Sequence, residues 1–216
     1  MEKLYCDYLV IGAGAAGCVV ANRLSKQKQF KVYCIEAGGN DTNPFIKIPA
    51  GFSKTVYNPD LNWPYFTTPS KNTGNRSIKF PRGKVIGGSS SINGHLYVRG
   101  QAADYDGWAQ LGCTGWDWDS VLPYFKKAET RINGEEKFRG KNGPLIISDL
   151  TELHPLTKIF IDTVDKFGIK KNSDYNSGNQ EGTATYQNMI KNNVRWSAAD
   201  AYLKPILHRD NFKLIK

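Results

Sequence analysis

Residues 7–17 read DYLVIGAGAAG. Tyr8–Ile11 is a continuous apolar run, the pattern of a short strand buried on both faces. It runs directly into Gly12-Ala13-Gly14-Ala15-Ala16-Gly17, a G-x-G-x-x-G turn. In such a turn Gly12 allows the tight bend off the strand, Gly14 leaves room for a pyrophosphate against the backbone, and Gly17 lets the following helix lie close to the sheet. That helix reads on from Ala15, with Gly17, Val20, Ala21 and Leu24 along the face turned to the sheet. Its N-terminus offers free N–H groups and the positive end of the helix dipole to a phosphate. A second apolar run, Val32–Ile35, ends in Glu36, where a carboxylate can accept hydrogen bonds from both hydroxyls of an adenosine ribose. The acid implies an unphosphorylated ribose, so this βαβ pattern predicts FAD or NAD rather than NADP, without choosing between those two.

Length and composition exclude several classes. At 216 residues the chain can bury a substantial core, as one large domain or two small ones. The net charge of +9 raises nucleic acid as a partner, but the 29 Lys and Arg are scattered and no basic cluster is interleaved with aromatics. Nucleic acid is therefore not expected to bind. Cys6, Cys18, Cys34 and Cys113 form no C-x-x-C pair, and the first three lie in or beside the βαβ unit as small apolar residues. Reduced thiols in the cytoplasm are the expectation. The N-terminal apolar run is too short for a membrane span and is broken by glycines, so no transmembrane segment is expected.

After the turn Ala37-Gly38-Gly39, regular structure is expected to lapse over residues 41–69, which hold five prolines and the aromatics Phe45, Phe52, Tyr57, Trp63, Tyr65 and Phe66. A loop of that length either packs aromatics onto the surface or covers a ligand. Residues 80–100, FPRGKVIGGSSSINGHLYVRG, follow. Gly87-Gly88 and three serines make a backbone able to approach a ligand and donate from N–H and hydroxyl groups, a second cradle far in sequence from the first. Asn93-Gly94 suits a turn or an amide placed against a polar ring edge.

On these residues the chain resembles the N-terminal part of the glucose–methanol–choline (GMC) oxidoreductases, the FAD-dependent group that includes choline dehydrogenases and related alcohol dehydrogenases and oxidases. The matching stretches are DYLVIGAGAAG with EAGG, NWPY, PRGKVIGGSSSINGHLYVRG with DYDGW, GWDWDSVLPYFKKAE, GPL and RWSAADAYL, in that order along nearly the whole chain. The resemblance implies an α/β fold: a Rossmann-like FAD-binding domain that starts with βαβ and a parallel sheet, plus the beginning of an α+β substrate-binding domain. It divides the chain into residues 1–144, FAD-binding; 145–195, a partial substrate-binding domain; and 196–216, a return to the FAD-binding domain, the whole incomplete as a family fold. An NAD-dependent dehydrogenase would share the first motif but leave PRGKVIGGSSSING unexplained.

Carried over residue by residue, the resemblance gives Gly12, Gly14, Ala15, Ala16 and Gly17 to the FAD pyrophosphate, and Glu36 with Ala37 to the adenosine ribose. Val85, Gly88, Ser89, Asn93, Gly94, His95 and Leu96 match the segment along the ribityl chain and flavin ring. Some relatives attach the flavin through a histidine in that segment; here the matching position is Ile92, so non-covalent FAD is implied. His95 is read as a flavin-edge contact, not a base. The implied reaction is oxidation of a CH–OH donor by hydride transfer to the flavin. The catalytic histidine pair of full-length members lies beyond anything matching Lys216, so no catalytic residue is assigned among His95, His154 and His208, and no metal site is expected.

Two functional readings follow. In one, the chain is the FAD-binding portion of an alcohol oxidoreductase, taking a small alcohol once a C-terminal half, on the same or a second polypeptide, completes it. In the other, it is a catalytically inactive truncated fragment with at most vestigial FAD binding. In either case strand edges and apolar helix faces are expected to be exposed, and the chain alone is expected to hold FAD weakly or not at all. Elsewhere, Asp117 or Asp119 is expected to cap a helix with Pro123 in its first turn, residues 145–147 to form a strand, and Pro155 to open an amphipathic helix closed by Gly168. Ser197 is expected to cap a helix over SAADAYLKPIL, and residues 211–216 to begin a strand.

Overall fold

Residues 8–35 fold as strand, glycine turn, helix and strand in the computed structural model, which describes residues 3–216: β1 (Tyr8–Ile11), α1 (Ala15–Leu24) and β2 (Val32–Ile35). β1 and β2 pair in parallel, Tyr8 opposite Val32 and Ile11 opposite Ile35. A parallel pair needs a crossover connection, which α1 provides. The strand Phe212–Ile215 pairs in parallel with the other edge of β2, Val32 opposite Phe212, so β2 is central in a three-stranded sheet. The strand expected at residues 211–216 is therefore present, and the fold is mixed α/β on a parallel sheet.

The chain forms two compact units, one reaching to His95 and resumed over Asn192–Lys216, the other Leu96–Lys191. The divisions expected from the sequence fall after 144 and 195. A division after 144 would cut a ladder, because Glu129–Thr130 pairs in parallel with Leu145–Ile146.

In the first unit, α1 buries Cys18, Ala21 and Asn22. Val20, expected on the buried face, is 46% exposed. The buried face is rotated because Asn22 Nδ2 donates to the carbonyl of Tyr202 at 2.7 Å, which draws α1 onto the later segment as well as the sheet. β1 is not buried on both faces either: Val10 reaches the core, while Tyr8, Leu9 and Ile11 are exposed. One side of the strand is covered by α1; among the described residues the other side is open. Burial pushes the Cys18 thiol up to about 12 and the Cys34 thiol up to about 11, so both act as neutral apolar groups.

The C-terminal segment is stitched to α1 by side chains. Arg209 Nη1 donates to Asn22 O at 2.9 Å and Ser25 Oγ at 2.8 Å, and Asn211 Nδ2 to Phe30 O at 2.8 Å. The helix expected over SAADAYLKPIL is a wide π-type turn, Ala199–Leu203, followed by the 3₁₀ turn Lys204–Ile206. Pro205 has no N–H to continue an α-helical ladder. Ser197 donates through N and Oγ to Asp200 Oδ2 at 3.0 and 2.8 Å. Asp200 also receives Lys47 and Lys204, and both lysines reach Asp41, closing a four-membered charge cluster.

Residues 41–69 contain more structure than expected, in single turns: Pro44–Lys47, whose first turn is capped by Asn43 Oδ1 on Phe45 N at 3.0 Å, and Phe52–Thr55. Ile46 and Leu61 from this region join Val85 and Ile92 in a buried cluster, so the loop supplies core as well as surface.

In the second unit, Asp117 caps the helix Trp118–Ala128, accepting from Ser120 N at 3.0 Å. Pro123 sits in the second turn, not the first. Glu129 is wholly buried, with Arg139 on both carboxylate oxygens at 2.8 and 3.0 Å and Arg99 Nη2 at 2.8 Å. His154 Nδ1 caps the helix Pro155–Lys166 through Leu156 N at 3.2 Å, and Gly168 follows it with φ +98°. Leu156, Ile159 and Phe160 on that helix are exposed. Among the described residues no helix is long and apolar enough to cross a membrane.

Candidate functional site

The two glycine segments, more than 70 positions apart, meet backbone to backbone. Gly87 N donates to Ala13 O at 2.7 Å, and Ile86 N to Gly39 O at 3.1 Å. Gly88 has φ +55°, and a Cβ there would stand 2.8 Å from Gly14 Cα. On the other side of the same turn, a Cβ on Gly17 would lie 1.9 Å from Gly12 O. The glycines at these two positions are thus what lets the turn, the helix start and the second segment close on one another.

Glu36 is anchored inside this junction. Its Oε2 accepts from Ala13 N at 2.7 Å and its Oε1 from Gly38 N at 2.8 Å, with the residue 7% exposed. A carboxylate has about four lone-pair sites, so two remain for further donors. Ala15 and Ala16, at the start of α1, and Ala37, beyond Glu36, are exposed.

Over this floor runs a groove of about 540 Å³ lined by Gly14, Ala15, Gly83, Gly88 and Ser89, with Trp63, Tyr65, Phe80 and Arg82 as its wall. The wall exists because Asn62–Trp63 pairs antiparallel with Arg82–Gly83. Trp63 and Tyr65 stack with centroids 6.0 Å apart and planes 6° from parallel. The Arg82 guanidinium lies 3.9 Å from the Phe80 ring centroid and Lys84 Nζ 4.8 Å from that of Trp63. Glycine N–H groups below, cations and aromatic faces beside them, suit a ligand that is anionic in one part and aromatic in another. Of the two readings of residues 41–69, packing or cover, the structure supports both: Ile46 is core and Trp63 is wall. Arg82 was passed over in the sequence because nothing local marks it; only strand pairing brings it to Gly14.

The serines divide. Ser90 Oγ donates to Gly87 O at 2.6 Å and Ser91 Oγ to Ile86 O at 2.7 Å, and both residues are buried, so their hydroxyls serve the loop itself. Ser89 Oγ accepts Gly83 N at 3.1 Å and lies on the groove, keeping its own O–H for a ligand. Val85 is fully buried in the Ile46–Leu61–Ile92 cluster and exposes no atom to the groove. Asn93 and Gly94 are half-buried; His95 is buried at φ +50°, with Nε2 3.3 Å from Pro49 O. Leu96 opens the second unit and is 45% exposed.

A profile of the GMC oxidoreductases matches residues 6–216. This chain belongs to the GMC oxidoreductase family. Among its GMC relatives, the oxygen-dependent choline dehydrogenase of Rhizobium johnstonii is 45% identical over 212 residues, covering 98% of this chain and 39% of the relative. That of Brucella anthropi is 45% identical over 210 residues, covering 97% and 38%. In structure, pyridoxine 4-oxidase from Mesorbium loti superimposes with a TM-score of 0.92 at 34% identity, covering 98% of this chain and 42% of the oxidase. An FAD-dependent oxidoreductase from Chaetomium thermophilum gives 0.87 at 28% identity, covering 98% and 38%. This GMC chain spans about two fifths of the length of the curated relatives it matches. The cofactor that fits the cradle is FAD, as in the FAD-dependent neighbour: the Gly14–Gly88 junction leaves bare backbone on the groove, and Glu36 keeps acceptor sites beside it.

Proposed function

We propose that this chain is the FAD-binding portion of an oxidoreductase acting on CH–OH groups, with the flavin held non-covalently. The observation that carries the reading is the junction of Gly14 with Gly88 beside Glu36, which sets both glycine cradles on one groove. Main-chain N–H groups at the start of α1 hold the pyrophosphate, Glu36 accepts from the adenosine ribose, and Ser89, Asn93 and Gly94 line the path of the flavin. When bound, FAD supplies the hydride acceptor for alcohol oxidation. Ile92 is 2% exposed and has no nucleophile, which supports the non-covalent reading.

The histidines support leaving proton transfer to groups outside this chain. His154 Nδ1 serves as a helix cap, His95 is packed against Pro49 O, and His208 lines a separate polar pocket with Lys26, Lys28 and Arg209. A base must reach the proton it removes. We therefore place alcohol turnover in an assembly in which further chain, covalent or separate, supplies the base and the substrate contacts.

The test is a titration of the purified chain with FAD, followed by flavin fluorescence. Weak but saturable quenching that NAD does not compete away is expected, with the flavin released intact on acid denaturation. Tighter binding of NAD than of FAD, or FAD quenching that NAD competes away, would overturn the assignment.

A further inference from the structure

Asn93 Oδ1 receives two donors. The His95 main-chain N–H reaches it at 2.9 Å and Arg195 Nη1 at 3.0 Å. A guanidinium and a peptide N–H have no acceptor to offer, so the atom between them has to be the amide oxygen. This fixes the carboxamide: Oδ1 faces inward and Nδ2 faces the other way. Asn93 is only half-buried, and the side-chain hydrogen bonds found for it both run through Oδ1, so its two Nδ2 protons remain as donors.

Arg195 is an unusual residue to find there. It is wholly buried, and no carboxylate lies within ion-pair distance of it among the described residues. Burial pulls its pKa down to about 10, opposed only by the charge of Asp200. Instead its fork bridges two segments: Nε donates to Ile46 O at 2.8 Å, and Nη1 to Ser90 O at 3.2 Å as well as to Asn93 Oδ1. Nη2 is buried with no hydrogen-bond partner. A buried cation without a contacting anion is costly, and a well-packed apolar residue would fill the volume with less penalty. What an apolar residue could not do is hold an amide in one of its two orientations.

We propose that Arg195 is a positioning residue that locks the Asn93 carboxamide, so that Nδ2 donates to an acceptor atom on the edge of the bound flavin. The proposal rests on the FAD reading above for its ligand, and on the Arg195–Asn93 geometry for everything else. A flavin edge is rich in acceptors, and a rotated amide would turn oxygen toward them.

Three variants of the full chain separate this from a merely structural role. Asn93→Asp keeps an oxygen on Arg195 and His95 N but replaces the outward donor by an acceptor. Its thermal midpoint is expected to equal or exceed that of the wild type, since it adds an anion beside Arg195, while FAD affinity falls tenfold or more. Unchanged FAD affinity would overturn the proposal. Arg195→Lys keeps the charge but loses the fork, and is expected to weaken FAD several-fold. In an Asn93→Ala background the same Arg195→Lys change is expected to have no further effect; a loss of full size there would show that Arg195 does not act through Asn93. The flavin-free protein gives an independent readout. The Asn93 side-chain amide resonance is expected away from the position of a free amide in the wild type, and to move to that position in Arg195→Lys. A resonance that does not move refutes the lock. Tighter binding of NAD than of FAD by the wild type would refute the cofactor reading instead, and the resonance would still decide for or against the Arg195–Asn93 coupling.

Discussion

Replacing Glu36 by Gln tests whether one carboxylate builds the site as well as serving its ligand. In the folded chain Oε2 and Oε1 accept Ala13 N–H and Gly38 N–H at 2.7 and 2.8 Å, in a position 7% exposed. A hydrogen bond to a charged group contributes about 1.5–3 kcal/mol net. Glutamine has one oxygen, so it keeps one of these bonds in weaker neutral form and turns an NH₂ toward the other N–H. Losing one charge-assisted bond and weakening the second comes to about 2–4 kcal/mol. At about 4 °C per kcal/mol for a folding unit of this size, the thermal midpoint should fall by about 8–16 °C. The assay is circular dichroism melting of the flavin-free variant beside the wild type, repeated with FAD. A flavin-free midpoint within about 2 °C of the wild type would refute the anchoring role. Lost FAD binding with an intact midpoint would leave the carboxylate serving the ribose alone.

Gly17→Ala puts a Cβ 1.9 Å from Gly12 O, so α1 or the turn must move by about 1.5 Å at a cost of about 3 kcal/mol or more, read as a lower urea midpoint; a change under about 1 kcal/mol would contradict the packing. Burial pushes the Asp200 carboxyl up, but hydrogen bonds from Lys204, Lys47 and Ser197 outweigh it and hold it below its ordinary 3.8. The unfolded chain then takes up this proton first as pH falls, so the stabilisation present above about pH 4 is lost below it. Thermal midpoints measured down through that range should drop more steeply for the wild type than for Asp200→Asn, and parallel curves would count against the cluster. Glu129→Gln leaves Arg99 and Arg139 facing a neutral group inside the second unit and should destabilise it by about 3–5 kcal/mol in chemical denaturation. A loss under about 1 kcal/mol would mean that the arginines find other partners.

The β1–α1–β2 unit and Glu36 were legible because their signal is local: glycines at fixed spacing, two apolar runs and an acid, all within residues 7–36. Helix ends were readable for the same reason. His154-Pro155 and Gly168 mark theirs in neighbouring residues. Burial was less legible, since it depends on what lies across space. The apolar run of β1 is the pattern of a two-faced strand, yet Leu9 and Ile11 are exposed, and α1 buries the polar Asn22 because Tyr202 O, far along the chain, accepts its amide. The serines of GGSSS show a second limit: composition counts hydroxyls, but only the fold shows that Ser90 and Ser91 turn theirs inward. Arg82 and Arg195 lie in matching stretches, PRGKVIGG and RWSAADAYL, but nothing local there assigns either a task; one reaches the groove through a short antiparallel pair and the other reaches Asn93 from a distant segment.

The split of the first unit around Leu96–Lys191 also sets a timetable for biosynthesis. The partner of β2 at its far edge is Phe212–Ile215, and Arg209 and Asn211 fasten that strand to α1 and to the turn that follows it. A chain leaving the ribosome completes the intervening segment before this strand exists. At about 5–20 residues per second, one edge of β2 stays unpaired for about 9–36 s after that strand is made. During that interval the open edge is exposed to chaperones and to neighbouring nascent chains, and the intervening segment is free to fold ahead of the half that encloses it.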